Sequence, residues 1–133
     1  MFEDKKILLI EDSEADVNLF KIALEENQFS PQKYLIDSGS ESIKYFKNQD
    51  PNYDLIILDI NLPMYNGYEI FEQIKLKNID IQTPVIIFTG SNSESDKEKC
   101  KDYGFGNFYT KPAHFKEYVS TVKDCLSNNL INQ

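Results

Sequence analysis

Five short apolar runs, separated by segments with helical spacing, constrain the fold of this chain more than any other feature. Each run is three to five residues long and is bounded by polar or turn-forming residues, which is typical of strands. Strands that alternate with helices form a parallel sheet covered by helices on both faces. The pattern therefore predicts an α/β fold with a doubly wound, five-stranded sheet. The predicted strands are Lys6–Ile10, Lys33–Ile36, Leu55–Leu58, Val85–Thr89 and Asn107–Tyr109.

Five helices are predicted around these strands. The segment Ser13–Asp16 has the composition of a capping box with acids in the first turn, so the first helix should begin there. The next three helices are predicted over Ser40–Phe46, Tyr68–Lys75 and Ser93–Lys101. In the first helix Leu19, Ile22 and Ala23 are predicted to share one face, flanked by Phe20 and Leu24. In the last helix the predicted buried face consists of Phe115, Val119, Val122 and Leu126.

The composition predicts one cytoplasmic domain that binds neither nucleic acid nor membrane. The chain has 133 residues, and the pattern uses residues 5–126 as the core of a single domain over 1–133, with no output domain expected. Its formal net charge of -8 argues against a basic face for nucleic acid or anionic lipid. No secretory signal and no apolar run of membrane-spanning length is present in the sequence.

Acidic residues follow two of the predicted strands at the point where each strand ends. Glu11 and Asp12 come after the first strand, and Asp59 comes directly after the third. The carboxyl ends of strands are where open α/β sheets place their sites. The carboxylates of such a cluster repel one another, and a bound divalent cation would offset that repulsion. The sequence therefore predicts a metal-binding carboxylate cluster at this edge of the sheet.

Two further residues make the predicted site suitable for phosphoryl chemistry. Thr89 ends the fourth strand and Lys111 follows the fifth, so both should face the same crevice. Asp59 could act as a carboxylate nucleophile toward phosphorus and form an acyl phosphate. The ammonium of Lys111 and the hydroxyl of Thr89 could then contact phosphoryl oxygens, with Mg²⁺ neutralising the transferred group.

These residues, in this order and spacing, resemble the receiver domain of bacterial two-component response regulators. The matching motifs are Glu11-Asp12, Asp59 with Pro63 and Gly67, Thr89-Gly90, and Tyr109-Thr110-Lys111-Pro112. The resemblance covers nearly the whole chain and implies a flavodoxin-like sheet of strand order 2-1-3-4-5. A more distant similarity to stand-alone receivers that work with bacterial phytochrome kinases rests on residues 11–16 and 79–84.

The resemblance also implies a metal site and a phosphoacceptor. Asp59 would accept the phosphoryl group. Asp12, Asp59 and the backbone carbonyl of Asn61 would bind Mg²⁺ or Mn²⁺, and Glu11 would reach the metal through water. No other cofactor is implied.

A conformational switch is implied in the same way. Thr89 and Tyr109 would form the switch pair, with the hydroxyl moving to the phosphoryl group and the ring turning inward behind it. Lys111-Pro112 would correspond to the family's cis peptide, although most bonds of this type are trans.

The implied function is signalling by phosphotransfer. A sensor histidine kinase or phosphotransfer protein would phosphorylate Asp59. The face formed by the fourth helix, the fifth strand and the fifth helix would then bind an unidentified protein or a second copy of the chain. The protein would catalyse its own phosphotransfer and autodephosphorylation without being a dedicated enzyme.

Three other functions are compatible with parts of this pattern. An aspartate-dependent phosphatase needs a second Asp two residues after the nucleophile, where this chain has Asn61. A flavin-binding module needs a phosphate loop after the first strand, where this chain has acids. A receiver fold that only binds partners, independently of phosphorylation, is the main alternative.

Overall fold

A parallel sheet of four strands lies at the centre of the part of the chain that the computed structural model describes. That part comprises residues 5–11, 13–29, 54–60, 68–69, 72, 84–104 and 107–130. The strands are β1 (Ile7–Ile10), β2 (Leu55–Leu58), β3 (Val85–Thr89) and β4 (Phe108–Thr110). The helices with assigned bounds are α1 (Glu14–Glu26), α2 (Glu94–Tyr103) and α3 (Phe115–Asn129).

The strands are hydrogen-bonded in the order β1-β2-β3-β4, and every neighbouring pair is parallel. All residues of the first three strands are buried, as expected for a sheet with both faces covered. The predicted α/β fold class is therefore confirmed, and the strand order is consistent with the flavodoxin-like sheet. The predicted strand Lys33–Ile36 and helix Ser40–Phe46 lie outside the described residues, as does most of the helix predicted over Tyr68–Lys75.

Side chains that alternate along the strands build two separate apolar clusters, one on each face of the sheet. We call them the α2-side core and the α1/α3-side core, after the helices that cover them. The α2-side core includes Leu8, Ile56, Ile87 and Cys100, with Phe108 packed against it. The α1/α3-side core includes Leu9, Ile57, Phe88, Phe20 and Val122, with Tyr109 packed against it.

The predicted buried face of α1 was partly wrong. Its buried residues are Val17, Phe20, Ala23 and Leu24, whereas Ile22 is 45 % exposed. The phase of the helix is set at its start, where the hydroxyl of Ser13 accepts a hydrogen bond from the amide of Asp16 at 3.3 Å. From that start Phe20 faces the sheet, and Ile22 is rotated away from it by about 200°.

The predicted face of α3 was also partly wrong. Tyr118, Val122, Cys125 and Leu126 are buried, whereas Phe115 is 46 % exposed. The pattern of aliphatic and phenyl side chains did not count the phenol ring and the thiol, which in the structure complete the buried stripe. Val122 and Leu126 belong to the predicted buried face and are buried in the structure, so these two residues were predicted correctly.

The polar helix α2 is defined mainly by its ends. The hydroxyl of Ser93 accepts a hydrogen bond from the amide of Asp96 at 2.9 Å. The helix stops at Gly104, whose φ of 87° lies in the left-handed region that glycine adopts without strain. Between these caps Cys100 is the buried residue that ties the helix to the α2-side core.

Two further observations bear on the sequence predictions. The bond between Lys111 and Pro112 is trans, so the cis peptide implied by the resemblance was wrong, and the ordinary preference for trans holds there. Of the helices in the described ranges, none combines the length and the apolar character needed to cross a lipid bilayer.

The phase of α1 can be tested with two substitutions that are two residues apart, within one turn. We expect Leu24→Ala to lower the free energy of unfolding by about 2–5 kcal/mol, because Leu24 is 3 % exposed and its loss leaves a cavity. Ile22→Ala should change it by at most about 0.5 kcal/mol. Urea unfolding followed by circular dichroism measures both. A larger loss for Ile22→Ala than for Leu24→Ala would contradict the helix phase described here.

Candidate functional site

The site lies where the carboxyl ends of all four strands meet. Glu11 follows β1, Asp59 follows β2, Thr89 is the last residue of β3, and Lys111 follows β4. Parallel strands in register bring such positions to one edge of the sheet. The backbone hydrogen bonds between β1 and β2 extend to this edge, because the amide of Asp59 donates to the carbonyl of Ile10 at 3.2 Å. The four side chains that the sequence predicted for this edge are therefore brought together.

The ammonium group of Lys111 is the centre of the site. Its Nζ lies 2.7 Å from Glu11 Oε1, 3.2 Å from Asp59 Oδ2 and 3.2 Å from Asp16 Oδ2. The Lys111 side chain is 12 % exposed, so these contacts form largely out of water. An ammonium has three N–H donors, and three carboxylates accept from it here.

The carboxylate of Asp59 is held from two sides. Thr89 Oγ1 donates a hydrogen bond to Asp59 Oδ1 at 2.9 Å, and Lys111 Nζ contacts Oδ2. Asp59 and Thr89 are both buried. The arrangement fixes the orientation of the carboxylate and places a hydroxyl and a cation beside its two oxygens. These are the groups that a phosphoryl group attached to Asp59 would need.

Burial and the charges of this cluster shift two pKa values. Burial raises the pKa of Glu11, and the charge of Asp59 adds to that rise, while the hydrogen bond from Lys111 opposes it. For Lys111, burial alone would lower the pKa. The hydrogen bond to Glu11 and the negative charges of Asp59, Glu11 and Asp16 outweigh burial, so the pKa of Lys111 is raised and the side chain stays charged at neutral pH.

The carboxylates also form a set that fits a divalent cation. Glu11, Asp16 and Asp59 each offer an oxygen, and these oxygens lie within 4.8 Å of one another. Carboxylate oxygens are the ligands that Mg²⁺ prefers, and Mn²⁺ accepts the same donors. The predicted ligands Asp12 and Asn61 lie outside the described residues, so their part of the metal site stays a prediction.

Asp16 is a member of the site that sequence reasoning missed. It lies in the first turn of α1, where the sequence suggested only a favourable interaction with the helix N-terminus. The short separation between Glu11 and Asp16 in the sequence was the available signal. A helix that begins after Ser13 places its first turn close to the end of the strand that precedes it. An acid three residues past the cap can therefore reach the same crevice.

Tyr109 is the predicted site residue that the structure does not bring to Thr89. It pairs in register with Phe88 and packs against the α1/α3-side core. Its hydroxyl accepts a hydrogen bond from Asn129 Nδ2 at 3.2 Å. Thr89 alternates with Phe88, so its side chain lies on the other face of the sheet. The two side chains therefore lie on opposite faces of the sheet in this structure, and their role as a switch pair stays a prediction.

Phe108 is the aromatic residue that shares the face of Thr89. It pairs in register with Ile87, two positions before Thr89, and packs against the α2-side core while remaining partly buried. The sequence offered two adjacent aromatic residues in β4, and only the register decides which of them lies on this face.

A hydrogen-bond network connects the segment after Thr89 to α2. Ser91 Oγ donates to Asp96 Oδ2 at 2.5 Å, and the hydroxyl of Tyr68 donates to Asp96 Oδ1 at 3.2 Å. Thr110 Oγ1 in β4 donates to the carbonyl of Ser91 at 3.1 Å. A movement of the segment that begins at Thr89 would therefore be transmitted to the first turn of α2.

Comparison with known proteins identifies relatives of the whole chain. A family model described as the response regulator receiver domain matches residues 7–123. The cell cycle response regulator CtrA of Brucella ovis is 33 % identical over 117 residues, covering 88 % of this chain and 48 % of CtrA. This chain thus spans about half the length of the curated relatives it matches.

Two solved structures are similar over nearly their whole length. The Mn²⁺-bound form of the response regulator Rcp1 has a TM-score of 0.81 and 29 % identity, with 97 % of this chain and 96 % of the other covered. The phosphorylated cyanobacterial phytochrome response regulator RcpA has a TM-score of 0.78 and 30 % identity, with 96 % and 94 % covered.

The role of Lys111 in the resting structure can be tested by removing its charge. We expect Lys111→Met to lower the free energy of unfolding by about 3 kcal/mol, because it leaves the buried carboxylates of Glu11 and Asp59 without a counter-charge. The matched control is Lys97→Met, which breaks a solvent-exposed pair with Glu94 and should lose at most about 1 kcal/mol. Equal losses in urea unfolding at neutral pH would show that the cluster does not depend on Lys111.

Proposed function

Because this chain belongs to the response regulator receiver family, we propose that it accepts a phosphoryl group on Asp59 in two-component signalling. Response regulators are signalling proteins rather than dedicated enzymes. The single observation that carries the residue assignment is the geometry of Asp59, whose oxygens face Thr89 Oγ1 at 2.9 Å and Lys111 Nζ at 3.2 Å. We also propose that the protein is cytoplasmic, as its composition predicts.

The proposed reaction moves one phosphoryl group between two proteins. A carboxylate oxygen of Asp59 attacks the phosphorus of a phosphohistidine on a histidine kinase or phosphotransfer protein. The phosphorus–nitrogen bond breaks, and the imidazole leaves with the bonding electron pair. The product is an acyl phosphate on Asp59. Its hydrolysis by water, catalysed by the receiver itself, returns the carboxylate and inorganic phosphate.

The residues around Asp59 stabilise the charge on the transferred group. The ammonium of Lys111 pairs with one phosphoryl oxygen, and the hydroxyl of Thr89 donates to another. A divalent cation would supply further positive charge when held by Asp12, Asp59 and the backbone carbonyl of Asn61, with Glu11 acting through water. Mg²⁺ or Mn²⁺ is proposed because of the carboxylate set described above and because Rcp1 binds Mn²⁺.

We propose that the output is a change in the face formed by α2, β4 and α3. When Thr89 turns toward the phosphoryl group, its hydrogen bond to Asp59 is replaced and the segment containing Ser91 can move. Phe108, on the face of Thr89, would then repack, and α2 would shift through the hydrogen bond from Ser91 to Asp96. The change is a shift between two populations caused by a local change of charge.

The partner on that face is either another protein or a second copy of this chain. Light scattering of the protein with and without beryllofluoride separates the two, since only the second raises the mass. For the upstream partner, the similarity to the phytochrome response regulator RcpA makes a phytochrome-type histidine kinase the first candidate to test.

The acceptor assignment can be tested by intact-mass spectrometry after incubation with acetyl phosphate and Mg²⁺. We expect the wild type to gain the mass of one phosphoryl group and Asp59→Asn to gain none, because an amide is not a nucleophile toward phosphorus. Removal of the metal with a chelator should prevent the gain.

Two outcomes would contradict this assignment. No gain in the wild type, together with no binding of beryllofluoride, would indicate an interaction module that works independently of phosphorylation. Steady turnover of free phosphomonoesters would indicate a phosphatase instead.

The aromatic residue of the switch can be tested with two matched substitutions in β4. With beryllofluoride and Mg²⁺ bound, we expect amide hydrogen exchange in Glu94–Tyr103 to change in the wild type. Tyr109→Leu should retain this change, and Phe108→Leu should lose most of it, because only Phe108 shares the face of Thr89. The reverse pattern would restore Tyr109 as the switch residue.

A further inference from the structure

We propose that Asp16 is a positioning residue that holds the ammonium of Lys111 in the resting state and releases it to the phosphoryl group. This inference rests on the proposed function, because it concerns how Lys111 becomes available to the phosphoryl group on Asp59. It adds α1 to the elements that control the reaction. The observation behind it is the contact of 3.2 Å between Asp16 Oδ2 and Lys111 Nζ.

The resting ammonium has no N–H donor to spare. Its three donors face carboxylates that come from three separate elements, namely Glu11 after β1, Asp59 after β2 and Asp16 in α1. When Asp59 becomes an acyl phosphate, the donor that faces it can turn to a phosphoryl oxygen. A second donor of Lys111 can reach the phosphoryl group only by leaving Glu11 or Asp16.

Asp16 is the partner that is released most easily. The side chain of Asp16 is 39 % exposed, whereas those of Glu11 and Asp59 are 4 % and 10 % exposed. Water can solvate the carboxylate of Asp16 when its ion pair breaks, but the carboxylate of Glu11 would be left as a buried charge without its counter-ion. The pair of Asp16 and Lys111 is therefore the exchangeable contact.

The position of Asp16 is fixed by the start of α1. Its amide donates to the hydroxyl of Ser13 at 3.3 Å, and the amide of Ser13 donates to Glu11 Oε2 at 3.2 Å. The first turn is thus attached to the strand end that carries Glu11. An acid in this turn would favour the helix N-terminus in any case. Glu14 lies in the same turn and has the same favourable interaction with the helix N-terminus. Glu14 is exposed, and in the described part of the chain it forms no ion pair with Lys111.

Removing the charge of Asp16 should favour the phosphorylated state. Asp16→Asn weakens the competition for one donor of Lys111. Because the lost contact is a partly exposed ion pair, the affinity for a phosphoryl mimic should rise by about two- to fivefold. Glu14→Gln removes the same charge from the same turn and should leave the affinity unchanged, since Glu14 is exposed to solvent, where its charge is screened.

The experiment is calorimetric titration of beryllofluoride into the full chain in saturating Mg²⁺. The variants are Asp16→Asn, Asp16→Glu and Glu14→Gln, each compared with the wild type. Asp16→Glu keeps a carboxylate on a longer side chain and should restore the wild-type affinity. A tighter affinity for Asp16→Asn alone supports the proposal. An unchanged or weaker affinity for Asp16→Asn, or equal tightening by Glu14→Gln, overturns it.

A double-mutant cycle separates positioning from simple charge repulsion. Urea unfolding of Asp16→Asn, Lys111→Met and the double variant, without any ligand, measures the coupling between the two side chains. A favourable coupling supports the proposal. A coupling of zero overturns it even if beryllofluoride binds more tightly, because Asp16 would then act on the phosphoryl group directly.

The titration also separates this inference from the proposed function. If the wild type binds beryllofluoride and Asp16→Asn binds it equally well, only the role of Asp16 fails. If the wild type does not bind beryllofluoride at all, the proposed function fails and the role of Asp16 with it.

Discussion

The ion pairs of a single buried ammonium hold the functional edge of this protein together. Lys111 Nζ contacts carboxylates from the ends of β1 and β2 and from α1, and the two buried carboxylates at the strand ends would be unstable there without it. The sheet makes the cluster possible because each contributing strand ends one residue before a charged side chain. A slip of one residue in any strand would turn that side chain to the other face, so the cluster and the register depend on each other.

The two faces of the sheet have different roles because the side chains of its strands alternate. Thr89 and Phe108 belong to the face covered by α2, and the segment after Thr89 is attached to that helix through Ser91 and Asp96. Tyr109 belongs to the other face, where Asn129 of α3 binds its hydroxyl. A change at Asp59 therefore reaches α2 by a direct chain of contacts through Thr89, Ser91 and Asp96.

The sequence was sufficient for the features that depend on strand ends. Asp59, Glu11, Thr89 and Lys111 were predicted because parallel strands bring their carboxyl ends to one edge, whatever the details of packing. Features that depend on the phase of an element were predicted less well. The buried faces of α1 and α3 were partly wrong because one residue of helix rotation exchanges Ile22 or Phe115 for a neighbour. Which of Phe108 and Tyr109 shares the face of Thr89 could not be predicted for the same reason, since adjacent aromatic residues in a strand differ only in face. Asp16 was missed because it lies in the first turn of a helix and not at a strand end, so the rule that found the other four did not apply to it.

The balance of charge in the site explains why both a cation and a released ammonium are needed for the proposed function. Among the described residues, three carboxylates surround one ammonium, so the resting site already carries more negative than positive charge. A phosphoryl group on Asp59 adds further negative charge to a largely buried place, where repulsion is weakly screened. A divalent cation offsets part of that charge. Lys111 can offset another part only if it leaves a carboxylate that it contacts in the resting site. The most exposed of these carboxylates is that of Asp16, on α1. The first turn of α1 would therefore respond to phosphorylation together with the first turn of α2, through Lys111 in one case and through Thr89 in the other.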